Sequence, residues 1–392
     1  MPKNMSLKKF IKNLFFTRSF FNRRIHEGVQ SITDIYSSIA EKQTNYCLKE
    51  IGNRWDTLDE KLIHQSIVNR FLNRYYTKIT NNDTKHYVLY YYGTFGNVCN
   101  IGDYFQTIAT EKAISFCQDH PCKFVYVQRN KLIEHSGGTC VMQGWYEHED
   151  LGFLPGDDTR AIWVGTHFTN STCKSLSLLF KQSSYRPYNV GCRDKSTLEF
   201  CREWGISSYF SRCLTLTLPK RSEEEAAKAD VVYLVDCSEE IISLLPKDIT
   251  TNAKIIYQRK FIREPWQPWM ICREAAENLL DEYKYHAQLV ITSALHCAQP
   301  CIAMGIPVIF INPEYNERER FSSMDGILPL YTMQDLKKGK VDFNPKIIDI
   351  EDLKVAMLTN LKLSLKKERS IEEEMNLKRV RKSINSFNVL NN

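Results

Sequence analysis

Apolar residues follow two rhythms along the chain, and these divide it into regions. Up to about residue 83 they recur at helical spacing, with almost no strand-like run. From His86 onward, short continuous apolar runs alternate with helical patterns, beginning with YVLYYYG, which ends at Gly93. A second alternation of this kind begins near Asp230 with VVYLVDC. Continuous apolar strands separated by helices are typical of parallel sheets that are covered on both faces.

Two such alternations in one chain predict an α/β protein with two Rossmann-like domains, residues 84–220 and residues 228–345. Residues 1–83 are predicted to form a helical N-terminal extension, and residues 346–392 a C-terminal helical tail. The tail mixes charges of both signs, as in LKKERSIEEEMNLKRVRK, which favours a solvated helix over a binding tail. The stretch SSYFSRCLTLTLP is predicted to be extended.

Charge and cysteine content narrow the function classes. The 392 residues include 52 basic and 46 acidic side chains, a formal net charge of only +6, so no nucleic-acid partner is predicted. The 13 cysteines include no CxxC pair, which favours buried free thiols in a reducing, cytoplasmic compartment and no metal site. In the N-terminal stretch MPKNMSLKKFIKNLFFTRSFFNRR, basic residues interrupt every apolar run, so neither a secretory h-region nor a membrane span is predicted there. This stretch is either a helical extension or a peripheral contact with a membrane surface.

A histidine is predicted at the junction of a buried strand and a helix. The segment LVITSALHCAQPCIAMGIPVIFI predicts a strand, a helix that ends at Gly305 and a second strand. Ser293, Ala294, Leu295 and His296 lie at the first junction, where doubly wound domains bind ligands and where a helix N-terminus favours anions. His296 could therefore bind a phosphate or carboxylate, or exchange a proton near neutral pH. The alternative is a structural histidine.

Two other junctions carry polar side chains. YVLYYYG leads through TFGNVCN into a helix at NIGD, which contains Asn100, Gly102 and Asp103. The glycine spacing is not that of a dinucleotide fingerprint, and Asn100 or Asp103 could cap the helix; Asp103 could otherwise act as a base. In VGCRDKSTLEF, Arg193 and Asp194 follow a short strand. Arginine suits recognition of phosphate or carboxylate, whereas a surface ion pair between the two residues is the alternative.

Taken in order, these motifs resemble the polysaccharide pyruvyl transferase family. NVGCRDKSTLEFCREWGISSYFSRCLTLTLP is similar to that family's G-x-R-[DS] turn, short helix and C-[PL]-T-L segment. NIGDYFQ is similar to its N-x-G-D element, and ITSALHCAQPCIAMGIPVIFI to its T-x-R-[LI]-H segment and G-x-P-V strand. The resemblance runs in order from about residue 97 to residue 325. The positions that match the first motif are Gly191, Arg193, Asp194, Cys213, Thr215 and Leu216.

The resemblance implies a glycosyltransferase-B-like fold, in which two Rossmann-like domains face a cleft, and a transferase of polysaccharide biosynthesis or glycan modification. Family members transfer a pyruvyl group from phosphoenolpyruvate to two hydroxyls of a sugar. The implied partners are thus a saccharide acceptor and a small anionic donor, and no cofactor is needed. Arg193 would bind the donor, His296 would act as an acid or on the phosphate, and Asp103 would be the base. Arg193 and His296 are expected to meet at one site. The implied substrate-binding residues are Asn100, Gly102, Arg193, Asp194, Arg212, Ser293, Leu295 and Arg320.

One position departs from the family pattern, because Ala294 stands where the family has an arginine. Either Arg212 or Arg320 supplies the missing cation, or the donor is not phosphoenolpyruvate. The second option leaves open a sugar-nucleotide-dependent glycosyltransferase of the same fold. A non-catalytic carbohydrate-binding relative is a third possibility, since fold does not fix activity. For the glycosyltransferase, candidate contacts to ribose or sugar hydroxyls are Glu314, Glu317 and Glu319.

Overall fold

The chain divides into two compact units, and the candidate site residues belong to the larger one. The described parts of the smaller unit are residues 97–99, 262–264 and 267–274. The predicted helical extension over residues 1–83, with its proposed membrane contact, lies outside the described residues. The computed structural model describes residues 86–93, 97–147, 151–156, 158–183, 185–264, 267–312 and 315–390.

The N-terminal part of the larger unit contains two four-stranded sheets. Their strands are β1 (Tyr87–Tyr91), β3 (Phe124–Gln128), β4 (Thr139–Val141), β5 (Gly144–Tyr146), β6 (Arg160–Ile162), β7 (Thr166–Phe168), β8 (Val190–Cys192) and β9 (Ser208–Phe210), whereas β2 (Val98–Cys99) belongs to the smaller unit. The spatial orders are β3–β1–β4–β6 and β5–β7–β8–β9, and every neighbouring pair is parallel. The helices of this part are α1 (Ile101–Cys117), α2 (Asn170–Gln182) and α3 (Lys195–Glu203).

The C-terminal part is built on a five-stranded parallel sheet. Its strands are β10 (Val231–Val235), β11 (Lys254–Ile256), β13 (Ala287–Thr292), β14 (Val308–Asn312) and β15 (Leu330–Thr332), in the spatial order β11–β10–β13–β14–β15. A further short strand is β12 (Phe261–Ile262). The helices are α4 (Glu223–Ala227), α5 (Glu239–Leu244), α6 (Lys247–Thr250), α7 (Met270–His286), α8 (Leu295–Ala303), α9 (Met333–Lys337), α10 (Glu351–Leu365) and α11 (Ile371–Ser386).

The parallel sheets confirm the predicted α/β class. All five residues of β14 and five of the six in β13 are buried, as their continuous apolar sequences predict. Ile291 of β13 and Ile309 and Ile311 of β14 pack in one hydrophobic cluster with Ile241 of α5. The glycosyltransferase-B-like arrangement, the cleft and the domain bounds stay predictions. In the part of the chain that the structure describes, no helix is long and apolar enough to cross a membrane.

The segment after β9 differs from its sequence prediction. The alternating Leu and Thr of LTLT are typical of a strand, but Leu214–Thr217 forms a 3₁₀ helix. Leu214, Thr215 and Leu216 are all fully buried, so the alternation does not separate a core face from a solvent face. The backbone N–H of Leu214 donates to Oε1 of Gln143 at 2.8 Å, a bond to a side chain instead of to a neighbouring strand.

Candidate active site

Asp103 lies in the first turn of α1, and the helix start fixes its position. Asn100 caps the helix, because its side-chain oxygen accepts a hydrogen bond from the N–H of Gly102 at 3.1 Å. Asp103 Oδ1 accepts a hydrogen bond from Nε2 of Gln106 at 3.3 Å. The same oxygen is 3.4 Å from Nδ1 of His296. The capping role therefore belongs to Asn100, and the Asp103 carboxylate is left to contact His296.

His296 lies in the first turn of α8, two residues after the N-cap position that Ala294 occupies without a side-chain hydrogen bond. Its Nε2 is 3.2 Å from Nη1 of Arg193, which is 103 positions away in the sequence. Because a guanidinium can only donate, Nε2 is the acceptor, and the ring proton is on Nδ1, facing Asp103. The structure thus brings Arg193 and His296 together, as the sequence motifs predict.

Arg193 and Asp194 follow β8 and are buried, with exposed fractions of 1% and 0%, so they do not form the surface ion pair that was the alternative. Nε of Arg193 is 3.6 Å from Oδ2 of Asp194. Asp194 is also the N-cap of α3, since its Oδ1 accepts from the N–H of Thr197 at 3.0 Å. Nη1 of Arg193 donates to Oε1 of Gln106 at 3.5 Å. Arg193, His296, Asp103 and Gln106 therefore form a closed ring of contacts.

His167, in β7, is a member of the cluster that the sequence motifs did not identify. Its Nδ1 is 2.5 Å from Oδ2 of Asp194, and its side chain is buried. Burial raises the pKa of Asp194, but the contacts with His167 and Arg193 outweigh it and hold that pKa well below the ordinary value. Asp194 is therefore an anion that orients both Arg193 and His167. No local sequence signal identifies His167, which is the middle residue of the short strand β7.

The electrostatics of this ring of contacts set the charges of its three titratable members. Burial, together with the charges of Arg193 and Arg320, lowers the pKa of His296 to about 4, although the hydrogen bond to Asp103 opposes this shift. Burial would raise the pKa of Asp103, yet its contact with His296 and the charges of Arg129 and Arg193 bring it below the ordinary value. At neutral pH, His296 is neutral beside an ionised Asp103 and a cationic Arg193.

Two more arginines contribute positive charge to the cluster. Arg129 follows β3, and its charge lowers the pKa of Asp103. Arg320 lowers the pKa of both His167 and His296, which places its charge near them. Its guanidinium carbon is 5.9 Å from the ring centroid of Trp145. Three arginines at one place can bind an anion, and the neutral histidine between them can exchange a proton. No group of three or more His, Cys, Asp or Glu among the described residues could hold a metal ion.

Comparison with known proteins decides the family. A family model for polysaccharide pyruvyl transferase matches residues 100–315, more than half of the chain. The chain belongs to the polysaccharide pyruvyl transferase family. The resemblance seen in the motifs is thereby confirmed, and because this is a transferase family, the match supports an enzyme. The matched segment contains the four residues of the ring.

Other comparisons add little. No curated protein matches the sequence. Among solved structures, a functionally uncharacterised protein of Klebsiella pneumoniae is 14% identical to this chain, with a TM-score of 0.36. The match covers 66% of this chain and 92% of that one. A likeness this low carries no argument about fold or function.

The departure from the family pattern at Ala294 affects Arg212 and Arg320 differently. Arg212 donates from its guanidinium to four backbone carbonyls, those of Ser323, Asp325, Ile384 and Phe387. It is therefore committed to the fold, and the structure does not support the donor-binding role suggested for it. Arg320 is the candidate that lies near His296. Glu314 and the side chains at positions 317 and 319 lie outside the described part of the chain.

The lack of a side chain at Gly102 is expected to be required for the position of His296. A Cβ at Gly102 would stand 3.2 Å from Cβ of His296 and 2.7 Å from Nε2 of Gln258. The Gln258 amide can move, but His296 must shift by a few tenths of an ångström. Gly102→Ala should therefore lower turnover and reduce the free energy of unfolding by about 1 kcal/mol, measured by steady-state kinetics and urea unfolding.

Gly205→Ala is the matched control for this substitution. Gly205 has a φ of +63° and nothing within 4 Å of an added Cβ, so alanine there adds backbone strain without touching the site. It should lower stability while the folded enzyme keeps wild-type turnover. Unchanged turnover in Gly102→Ala would show that the approach of Gly102 to His296 has no functional role.

The low pKa of His296 predicts that stability falls in mildly acidic solution. The histidine pKa is 6.5 in the unfolded chain and about 4 in the folded one. Between these values the unfolded state binds more protons, so the free energy of unfolding decreases as pH falls from 6.5 to 4. The loss due to this residue is at most about 3 kcal/mol. The lowered pKa of His167 acts in the same direction.

His296→Asn should flatten this pH dependence, measured as the free energy of urea unfolding across the window. The control is His120→Asn, since the His120 side chain is at the surface. This control should retain the wild-type slope. If His296→Asn has that slope as well, the ring of His296 is not held neutral in the folded protein.

Proposed function

We propose that this protein transfers a pyruvyl group from phosphoenolpyruvate to two hydroxyls of a saccharide, forming a ketal. The observation that carries the proposal is the contact between Arg193 and a neutral His296 that is oriented by Asp103. This arrangement combines an anion-binding guanidinium with a group that can exchange a proton, within one matched family segment.

The donor requires positive charge, because phosphoenolpyruvate carries a phosphate and a carboxylate. Arg193 is the proposed ligand of the donor, with support from Arg129 and Arg320, whose charges act on the same ring. Arg320 takes the part that an arginine at position 294 would have in the family. The N–H groups at the start of α8, including that of Leu295, offer further donors to the anion.

The chemistry needs one acid and a way to remove two protons. His296, protonated, gives its proton to the methylene carbon of the enol, and a sugar hydroxyl attacks the neighbouring carbon. The proton of that hydroxyl returns to His296. The second hydroxyl then displaces phosphate, which leaves with the second proton. The products are the ketal and inorganic phosphate, and His296 ends in the form in which it began.

The donor itself helps to charge His296. The charges of Arg193 and Arg320 oppose protonation of the His296 imidazole. Binding of an anion offsets these charges and raises the pKa of His296 towards neutrality. Asp103 has a lowered pKa and is a poor proton acceptor, so we propose that it orients His296 and stabilises the protonated ring. The role of base thus passes from Asp103 to His296.

The test is isothermal titration of the full chain with phosphoenolpyruvate, UDP-sugars and GDP-sugars, together with phosphate release in the presence of a panel of sugar glycosides. Binding of phosphoenolpyruvate, with phosphate released only when a glycoside is added, is the expected result. The product should be the glycoside plus pyruvate less one water by mass. Binding of a nucleotide sugar but not of phosphoenolpyruvate would overturn the proposal in favour of a glycosyltransferase.

A further inference from the structure

A second polar cluster lies at the carboxyl edge of the five-stranded sheet. Asp236 directly follows β10, and Ser293 directly follows β13. In the register of the sheet, Val235 is opposite Thr292 of β13 and Ile256 of β11. The residues after these three strands are therefore neighbours in space. Gln258, two residues beyond β11, completes the cluster.

This cluster contains buried polar atoms that make no hydrogen bond within the described part of the chain. Oδ2 of Asp236, Oε1 of Gln258 and Oγ of Ser293 have no hydrogen-bond partner among the described residues. Gln258 is 1% exposed and Ser293 is 4% exposed. Nε of Arg259 is 3.7 Å from Oδ2 of Asp236, beyond hydrogen-bond distance. Buried polar groups without a partner are costly and uncommon, so three at one sheet edge call for a ligand.

The backbone at the same edge is also unusual. Asp236 has a φ of +51°, in the left-handed region that few residues other than glycine adopt. Such strain is found at functional sites, where the surrounding structure imposes it. Arg259 holds the neighbouring turns, since its N–H donates to Oδ1 of Asp236 at 3.3 Å and its Nη2 donates to the carbonyl of Ser293 at 2.9 Å.

The chemistry of the three atoms defines the ligand. A carboxylate oxygen and an amide oxygen can only accept hydrogen bonds, and a serine hydroxyl can accept or donate. The ligand must therefore bring donors, and it cannot place negative charge beside Asp236. Phosphoenolpyruvate, which is anionic and has no donor at neutral pH, does not fit. The hydroxyl groups of a sugar do, because each brings one donor and no charge.

The cluster is next to the ring that contains His296. Nε2 of Gln258 is 2.7 Å, and Cβ of His296 is 3.2 Å, from the point where a Cβ on Gly102 would stand. A sugar held by Gln258 would thus have hydroxyls beside His296. We propose that Asp236, Gln258 and Ser293 form the acceptor subsite, in which they accept hydrogen bonds from saccharide hydroxyls. This inference rests on the proposed function and names the residues that select its acceptor.

Ser293→Ala and Gln258→Leu test the subsite by removing one unpartnered atom each. Each variant should raise the KM for an acceptor glycoside about three- to tenfold, the effect of one lost neutral hydrogen bond. The Kd for phosphoenolpyruvate should not change, because neither atom is among the proposed ligands of the donor. The melting temperature of Ser293→Ala should stay the same or rise, since a buried hydroxyl without a partner is removed.

Ser211→Ala is the matched control. Its hydroxyl is also buried, but it accepts from the N–H of Gly165 at 2.9 Å and donates to the carbonyl of Cys192 at 3.1 Å. Removing it should lower the melting temperature and leave the acceptor KM unchanged. The opposite pattern in Ser293→Ala, a KM effect without loss of stability, would distinguish a binding role from a structural one.

A direct binding measurement separates failure of the subsite from failure of the proposed reaction. Saturation-transfer NMR with methyl glycosides of galactose, glucose, mannose and N-acetylglucosamine should show at least one glycoside bound to the wild type and weakened in both variants, whether or not phosphoenolpyruvate binds. If phosphoenolpyruvate binds but no glycoside does, or if both variants bind glycosides as the wild type does, the acceptor subsite is refuted while pyruvyl transfer stands. If glycosides bind in the expected way but phosphoenolpyruvate does not, the subsite stands and the donor proposal falls.

Discussion

Replacing His296 with asparagine is expected to lower turnover by about a hundred- to ten-thousandfold, the usual contribution of a positioned acid or base. Asparagine retains a polar group beside Arg193 and Asp103, but it cannot carry the proton between the sugar hydroxyl and the enol carbon. The affinity for phosphoenolpyruvate should change little, because the proposed role of His296 is in the reaction. Phosphate release gives turnover, and isothermal titration gives the donor Kd.

His120→Asn is the control for this substitution and should retain full turnover, because His120 is at the surface. The informative comparison is between turnover, which should fall, and the donor Kd, which should stay nearly unchanged. A lower melting temperature, with wild-type turnover per folded molecule, would identify His296 as a structural histidine.

Replacing Arg193 with lysine is expected to weaken the binding of phosphoenolpyruvate about ten- to a hundredfold. A hydrogen bond to a charged group contributes about 1.5–3 kcal/mol, and lysine cannot reproduce the fork of a guanidinium. Nη1 of Arg193 contacts both His296 and Gln106, and its Nε faces Asp194. A single ammonium cannot make these contacts and also bind the donor.

Arg202→Lys provides the matched control, because Arg202 is exposed on α3, the helix that Asp194 caps. Its donor affinity should equal that of the wild type. Circular dichroism and the melting temperature of Arg193→Lys would separate loss of binding from loss of folding. A wild-type Kd in a folded Arg193→Lys protein would place the donor elsewhere.

The sequence was sufficient to predict the class of fold and three members of the site. Continuous apolar runs such as IPVIFI predict buried parallel strands, and the ends of such strands are where ligands bind. This rule selected Asp103, Arg193 and His296, and the structure places them in contact. The contacts themselves cannot be predicted from local pattern, because they join a residue of α1, a residue that follows β8 and a residue of α8, which only the packed fold brings together.

The members that the sequence did not reveal look like ordinary core or helix residues. His167 lies in the largely apolar stretch WVGTHF, and its role depends on a contact with Asp194, 27 positions away. Gln106 lies inside a helix whose residues are mostly buried, with no local sign of function. The contacts of Arg212 could not be predicted from the sequence either. It was a candidate for the cation missing at position 294, and the partners of its guanidinium are carbonyls up to 175 positions away.

Arg212 also links the far end of the chain to the segment after Arg320, which is a proposed ligand of the donor. It has a φ of +57°, and its guanidinium joins the carbonyls of Ile384 and Phe387 to those of Ser323 and Asp325, just after Arg320. If a carboxypeptidase removed Phe387 and the residues after it, the buried guanidinium of Arg212 would have fewer acceptors. The segment that follows Arg320 would then be held less firmly. In a genetic screen, short C-terminal deletions would then score as donor-binding defects, although none of the deleted residues would touch the donor.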